Sequence, residues 1–362
     1  MKQTLLFASF MLAAFFSNAQ DTIRTYYDEE ETLIKELYFR VNGLAEGEIK
    51  RFDEEGNLIQ IGHLKNDQRN GVFLDLDPKT GDTLRITNFL NNNRQGFSKS
   101  YFAGGNLQQE LYFDQNKIEG KVSTYFPSGQ IQDITEFHND RPNGPSESYY
   151  ENGKLEFRGV FQDGEYEGLQ EEFNEDGQLV RSANYSKGSL DGIEKTYFPN
   201  GSLQSSIGYK KGLLDGEYIS NFEGEKPQRR GLYKNGLAEA EQLEYFEDGS
   251  IRSKITYKKG IPITPLLTYY NDGTLAFKRE FVPKSNFPLT ETTFFRNGQV
   301  NLIVNYEDGE AEGEVKVYRE DGTLSEIRNF SAGKLHGKRE FYDESEKLIK
   351  TEFYEKGKLN DK

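Results

Sequence analysis

The chain of 362 residues contains no cysteine and no tryptophan, and only three histidines and two methionines. Without cysteine there is no disulfide, no thiolate metal site, no cysteine nucleophile and no lipid anchor through a cysteine. The histidines His63, His138 and His336 fall at unrelated places in the pattern described below, so nothing gathers them into a centre. There is no G-x-S-x-G, no H-E-x-x-H and no phosphate loop. Acidic turns such as "EDGQ" and "EDGE" lack the D-x-D-x-D-G spacing and the distal Glu of an EF-hand. Carboxylate pairs chosen from 60 acidic residues carry no weight as a glycosidase signature. The expectation is a non-enzyme with no catalytic residue, no metal and no cofactor.

Basic residues are also in short supply. Lys and Arg number 45 against 60 Asp and Glu, a formal charge of −15. Phosphate binding needs clustered Lys and Arg, so a nucleic-acid partner is disfavoured, as is docking onto an anionic membrane surface. The hydrophobic fraction is 35%, low for packed globular domains, yet 27 Phe and 22 Tyr are present beside 36 Gly. Apolar content held in aromatics favours strands over helices.

One apolar run stands apart. "MKQTLLFASFMLAAFFSNAQ" carries Lys2, a mainly apolar stretch from Leu5 to Phe16, and Ser17-Asn18-Ala19 before Gln20. This reads as a signal peptide over residues 1–19, too short in its apolar part to span a bilayer. The mature chain is expected outside the cytoplasm: periplasmic, on the cell surface or secreted.

What remains is a repeat. "YYENGKLEFRGVFQDGEYEGLQEEFNEDGQLV", Tyr149 to Val180, nearly restates itself after 24 residues. Equivalents of Gly153 occur at Gly56, Gly81, Gly105, Gly129, Gly177, Gly201, Gly224, Gly249, Gly273, Gly298 and Gly322, in steps of 23, 24 or 25, with Glu31 and Glu346 in the same slot of degenerate end units. About fourteen units cover residues 20–362. The Asn-Gly and Asp-Gly pairs at these anchors predict a type I′ turn, in which two successive residues take positive φ. A second turn follows eleven or twelve residues later at a slot filled only by Gly, Asn or Asp, from Gly43 and Asp67 to Gly333 and Gly357. An aromatic usually lies four residues before the anchor and another eight or nine after it, with Leu, Ile or Val two after it. Alternation puts these on one sheet face. One hairpin cannot bury them alone. The fold class expected is therefore all-β: an elongated, single-layer antiparallel β-meander, solenoid-like, of about fourteen 24-residue β-hairpin repeats.

The stretches "YKKGLLDGEY", "YSKGSLDGIEKTYFPNGSL" and "YEDGEAEGEVKVYREDGTL" resemble the MORN repeat, specifically its bacterial variant form, and the resemblance runs over about Thr22 to Lys362. It implies the hairpin array. It also implies membrane or protein association, as for MORN arrays in other proteins, and, for the bacterial variant form, an antitoxin component of a toxin–antitoxin pair; in an exported chain this becomes an immunity-type neutraliser.

Two features stand out from the repeat itself. A second aromatic column three before the anchor, Phe102, Phe126, Tyr150, Phe198, Phe246, Tyr270 and Phe295, is placed by alternation on the face opposite the first, where some rings are expected to be exposed as a partner-binding ladder. The stretch 260–290, with Pro262, Pro265, Pro283 and Pro288, breaks the second-turn pattern, either as a kink that shapes a site or as decay of the repeat. The expected function is a protein-binding scaffold whose acidic surface meets a basic partner, such as a toxin. The alternative is an envelope array in contact with carbohydrate or membrane. The lack of Trp argues against carbohydrate and the negative charge against membrane. The oligomeric state is left open.

Overall fold

The computed structural model describes residues 20–360; the leader expected over 1–19 lies outside them. Those residues form thirty-three strands and no helix, so the chain is all-β. It divides into two compact units, one ending at Lys154 and one beginning at Leu155. Within each, successive strands pair antiparallel with their sequence neighbours. One repeat of the first unit illustrates the plan. Strand Leu107–Asp114 turns into Lys117–Tyr125, which turns into Ile131–His138.

The two turns differ from the sequence expectation. At most anchors a single residue has positive φ: Gly153 lies at φ 81 and Asn152 does not join it, whereas Gly104–Gly105 and Gly224–Glu225 are each both positive. Phe102 N–H donates to the Asn106 carbonyl and Gly105 N–H to that of Phe102, the three-residue loop that ends in a glycine bulge. Type I′ belongs to the second turn, where both residues are left-handed: Asn91 and Asn92 at φ 49 and 68, Lys187 and Gly188 at φ 50 and 72. The Asn-Gly pair misleads because at the anchor its Asn serves as a cap. Asn152, Asn200 and Asp248 accept the N–H two residues on through Oδ1. Where the anchor turn opens on Asx instead, that residue does the capping: Asp53 Oδ1 accepts from Glu55 and Asn57, Asn174 Oδ1 from Asp176 and Gln178.

The slot assignment of the end units holds. Glu31 and Glu346 both take the left-handed backbone, φ 59 and 57. One anchor moves: Phe222 N–H bonds the Lys226 carbonyl, so by the turn's own geometry the slot belongs to Glu225 (φ 64). The steps 225 − 201 and 249 − 225 are then both 24, which removes the one step of 23; steps of 25 remain at 56 to 81 and 273 to 298.

Each second turn hangs from the one before it. Asp67, Asn92, Asn116 and Asp140 in the first unit donate N–H to the carbonyls of Ala45, Arg69, Arg94 and Ile118. Their side-chain Oδ1 accepts the N–H of the same four residues at 2.7–2.8 Å. The second unit has glycine there and keeps only the backbone bond, as in Gly212 to Leu190 and Gly236 to Leu214. A carboxylate just before the next left-handed residue (Gly47, Gly120, Gly168 or Ala240) adds a further tie: Glu46, Glu119, Glu167 and Glu239 each accept the N–H of the following turn's first residue.

The core is thin. Leu111, Phe113 and Val122 are buried together, with Ile118 and Phe137 against them. The buried column two before the first aromatic is matched in size across the strand pair. Gly62 faces Phe73, and Gly159 and Gly231 face Gln170 and Gln242. Thr87 meets Ser98, and Thr135 meets Ser146, hydroxyl to hydroxyl at 3.3 and 2.8 Å. Size complementarity of this kind fills a single layer without voids.

Candidate functional site

The seven aromatics of the second column do not form an exposed ladder. Phe102, Phe126 and Tyr150 in the first unit and Phe198, Phe246, Tyr270 and Phe295 in the second are all half-buried. Each is the residue that opens the anchor turn, with its own N–H bonded across the loop. A register shift falls just before this position, between Thr124 and Tyr125 for example, so strict alternation no longer assigns it a face. Two residues in this slot reach the following repeat. Tyr270 Oη donates to the Phe294 carbonyl at 2.8 Å, and the Arg296 guanidinium stands 4.7 Å from the Tyr270 ring centre. Arg319, in the same slot, reaches the Tyr342 carbonyl in the same way. These residues tie neighbouring hairpins together along the turn edge.

The histidines stay apart, as their columns require. His138 Nδ1 lies 2.6 Å from Glu119 Oε1 and Nε2 2.7 Å from the Asn139 side-chain amide. Among the described residues no group of three His, Asp or Glu could hold a metal ion.

The proline-containing stretch is where the array opens. Turn-to-turn bonding is present at each step from Gly188 to Gly260, whose N–H reaches the Ala238 carbonyl. The position equivalent to Ala238 is then Pro262, in the two-residue strand Ile261–Pro262. No following type I′ turn meets it. Instead the connection after Leu275–Phe281 closes on itself, Val282 N–H to the Phe287 carbonyl and Ser285 N–H to that of Val282. Among the described residues no backbone bond crosses from this connection to Pro262. Pro262 keeps its carbonyl; what is lost is the donor, because the 282–287 connection, with Pro283 in it, forms a self-bonded loop in place of the type I′ turn.

The gap is a groove of about 1090 Å³. Its walls are Ile261, Pro262, Ile263, Phe281, Val282 and Leu289. Ile263 is 60% exposed, and Phe287, in the connection that follows, equally so. Lys258, Lys259 and Lys284 stand on its rim, against one acid, Glu280. That carboxylate is already engaged, by Lys278 Nζ at 2.6 Å and Thr290 Oγ1 at 2.8 Å, and those bonds hold it below the usual carboxylate range. No ion pair among the described residues involves the three rim lysines. The prolines flagged this stretch in the sequence; the exposed Ile263, Phe287 and Leu289 carried no periodic signal and went unnoticed.

A second concavity in the same unit has a different lining. Tyr218, Tyr233 and Tyr257 with Arg229, Arg230 and Arg252 bound a cleft of about 590 Å³. Arg229 is paired to Glu244 at 3.0 Å, and burial pushes the Tyr257 hydroxyl up from its ordinary pKa.

Seven segments match the model of the MORN repeat variant: residues 45–66, 118–139, 142–163, 166–187, 190–211, 238–259 and 335–356. The chain carries MORN-type repeats. Each matched segment runs from just after one type I′ turn to the next, so the family's unit and the structural unit coincide. None of the curated proteins matches the chain. Among solved structures, TcdB2-TccC3-TEV is similar at 12% identity over 93% of this chain and 21% of that one, with a TM-score of 0.17. TcdB2-TccC3-Cdc42 gives 12%, 93%, 19% and 0.16 in the same order. The chain thus spans about a fifth of the length of these structures, and similarity at that level supports no functional inference.

Proposed function

We propose that this MORN-type array is a non-enzymatic protein-binding scaffold, exported by its leader and acting as a neutraliser of a protein partner. The observation that supports it best is the groove at 258–289. It is an apolar surface left open where the turn after Gly260 is replaced by a self-bonded loop, and open apolar surface with a charged rim is the anatomy of a protein contact. The acidic remainder of the chain favours fast encounter with a basic partner, an attraction that weakens with salt.

The test is affinity capture from the native envelope fraction on immobilised Gln20–Lys362, eluted in a salt gradient. One stoichiometric protein released by moderate salt supports the scaffold. Retention of glycan or lipid with no protein refutes it in favour of an envelope array. That second reading draws on the tyrosine–arginine cleft, whose rings and guanidinium groups suit an anionic saccharide; binding of purified envelope glycans, lost in Arg230→Ala with Arg252→Ala, would establish it.

A further inference from the structure

We infer that the groove between the 258–265 and 282–289 segments takes an extended peptide segment of the partner in which a bulky apolar side chain is flanked by carboxylates. The inference rests on the scaffold reading and names the chemistry of its contact.

Three features choose this occupant. The first is shape and polarity. Ile261, Ile263, Phe281, Val282 and Leu289 give an apolar trough, and Ile263 and Leu289 remain exposed to it. Such surface is stabilised by covering apolar side chains. The second is charge. The chain as a whole is at −15, yet the groove brings Lys258, Lys259 and Lys284 together against Glu280 alone, whose charge Lys278 already answers. A trough lined by three unpaired ammonium groups discriminates against a basic segment and in favour of a carboxylate. The third is the backbone. In the preceding repeats the carbonyl at the Pro262 position accepts an N–H from the next turn, as Leu214 accepts from Gly236 and Ala238 from Gly260. At Pro262 that turn is missing, and an extended chain laid along the groove supplies the N–H in its place, the usual logic of adding a segment to an open sheet edge.

The local sign is opposite to the global one, and the two act at different ranges. The overall negative field steers a partner within roughly a Debye length, about 8 Å; the lysines act on whichever segment is already seated. A basic partner presenting one acidic, apolar segment satisfies both.

The test uses the mature chain and a display library of random dodecapeptides. The library is selected on the wild type and depleted in parallel on Ile263→Asp and on the triple variant Lys258→Glu, Lys259→Glu, Lys284→Glu. All four positions are exposed, so circular dichroism and melting of the variants should match the wild type. The expected result is enrichment of peptides with Leu, Ile or Phe next to Asp or Glu. A synthetic peptide of that consensus should bind about tenfold or more weakly to either variant, with affinity falling as salt rises. Enrichment of basic peptides, no enrichment, or binding indifferent to both variants overturns the inference. So does a concentration-dependent dimer in sedimentation that Ile263→Asp abolishes, since a second copy would then be the occupant. Capture of the native partner separates the two levels of argument. If wild type and Ile263→Asp retain the same protein equally, the scaffold stands and the groove does not. If neither retains a protein, the scaffold reading fails by itself.

Discussion

Replacing Gly62 with alanine isolates what holds this single-layer array together. Gly62 does not have positive φ, so the substitution carries no backbone strain of its own. A Cβ there would sit 2.2, 2.3 and 2.5 Å from Cε1, Cδ1 and Cζ of Phe73. Carbon atoms in good contact stand about 3.5–4.0 Å apart, so the ring must retreat by more than about 1 Å. It has nowhere to go. Phe73 is 2% exposed, meets Phe89 edge-on at 5.1 Å, and lies beneath the Arg69 guanidinium at 5.4 Å. Overpacking costs about 1–3 kcal/mol, and losing the aromatic pair adds about 0.5–1.5. The sum, about 2–4 kcal/mol, corresponds to about thirtyfold to a thousandfold in a local opening equilibrium.

Global unfolding is a poor readout for a stack whose units contact only their neighbours, so the assay is hydrogen exchange of the 58–76 hairpin by mass spectrometry. Gly62→Ala should accelerate exchange there and leave distant hairpins unchanged. Adding Phe73→Leu, which shortens the ring's reach, should recover part of the loss, with a coupling of about 1 kcal/mol or more. Wild-type exchange in Gly62→Ala, or strictly additive single and double variants, would refute the size-matching argument. Gly43→Ala is the control: it has open space around its Cβ but φ +83, and should lose only the cost of a left-handed alanine, about 1–2 kcal/mol.

The anchor caps titrate. Asp53, Asp77 and Asp343 are held below their ordinary pKa, Asp53 first by the Asn57 side chain, Asp77 by the Thr80 N–H and Asp343 by the Lys347 N–H. A depressed folded-state pKa means stability that is present above the ordinary value of 3.8 and lost as pH falls below it; the triple Asp→Asn variant, which keeps the acceptor oxygen as Asn174 does, should show a shallower loss of melting temperature below about pH 4, and parallel curves would count against the caps. At Glu326, burial alone would raise the carboxyl pKa, but bonds from Arg328 and Arg339 outweigh it and hold the group low. Glu326→Leu leaves Arg328 without its counterion and Arg339 with only the longer pairing to Glu352 at 3.6 Å, and should destabilise the 324–342 hairpin by about 1–3 kcal/mol, less than a fully buried pair because the arginines are partly solvated; Glu326→Gln should lose less, as read by urea-dependent exchange. Gly212→Asn should be neutral or slightly stabilising, since φ is +77 with nothing within 4 Å and its Oδ1 can take up the Leu190 N–H as Asn116 does for Arg94. Gly212→Val should lower the melting temperature, because a β-branched residue is strained at that φ.

The period, the strand class and the left-handed slots were legible in the sequence because each is local. A residue that must take positive φ is Gly, Asn or Asp in most repeats, and its recurrence survives even where Glu31, Glu225 and Glu346 fill the slot. Turn type was not legible. Asn-Gly marks both a type I′ turn and a capped glycine bulge, and only the hydrogen bond from Lys154 N–H to Asn152 Oδ1 decides between them. The aromatic column failed for a related reason. Two-residue alternation assigns a face only while the register is unbroken, and the shift between Ser100 and Tyr101 or Thr124 and Tyr125 precedes each ring. Pro262 and Pro283 were visible as breaks, but a break does not announce whether the chain closes over it. That depends on where the next turn's N–H groups go, a relation between residues about 24 apart.

The same relation explains why the open site falls where it does. In this fold a hairpin gains stability from its neighbours through three recurring ties: the turn N–H, the carboxylate before the following left-handed residue, and the residue opening the anchor turn. At 258–289 the first tie is missing because the donor turn has been replaced by a self-closed loop. The third persists close by, in Tyr270 Oη to the Phe294 carbonyl and Arg296 over the Tyr270 ring. The sheet therefore stays paired on its anchor side, with Leu266–Tyr269 bonded to Leu275–Phe281, while its type I′ side parts. An opening on one edge only exposes apolar side chains without uncoupling the repeats that flank it. The scaffold proposed above would use that combination: paired repeats flanking one segment of surface released from the repeat's own bonding.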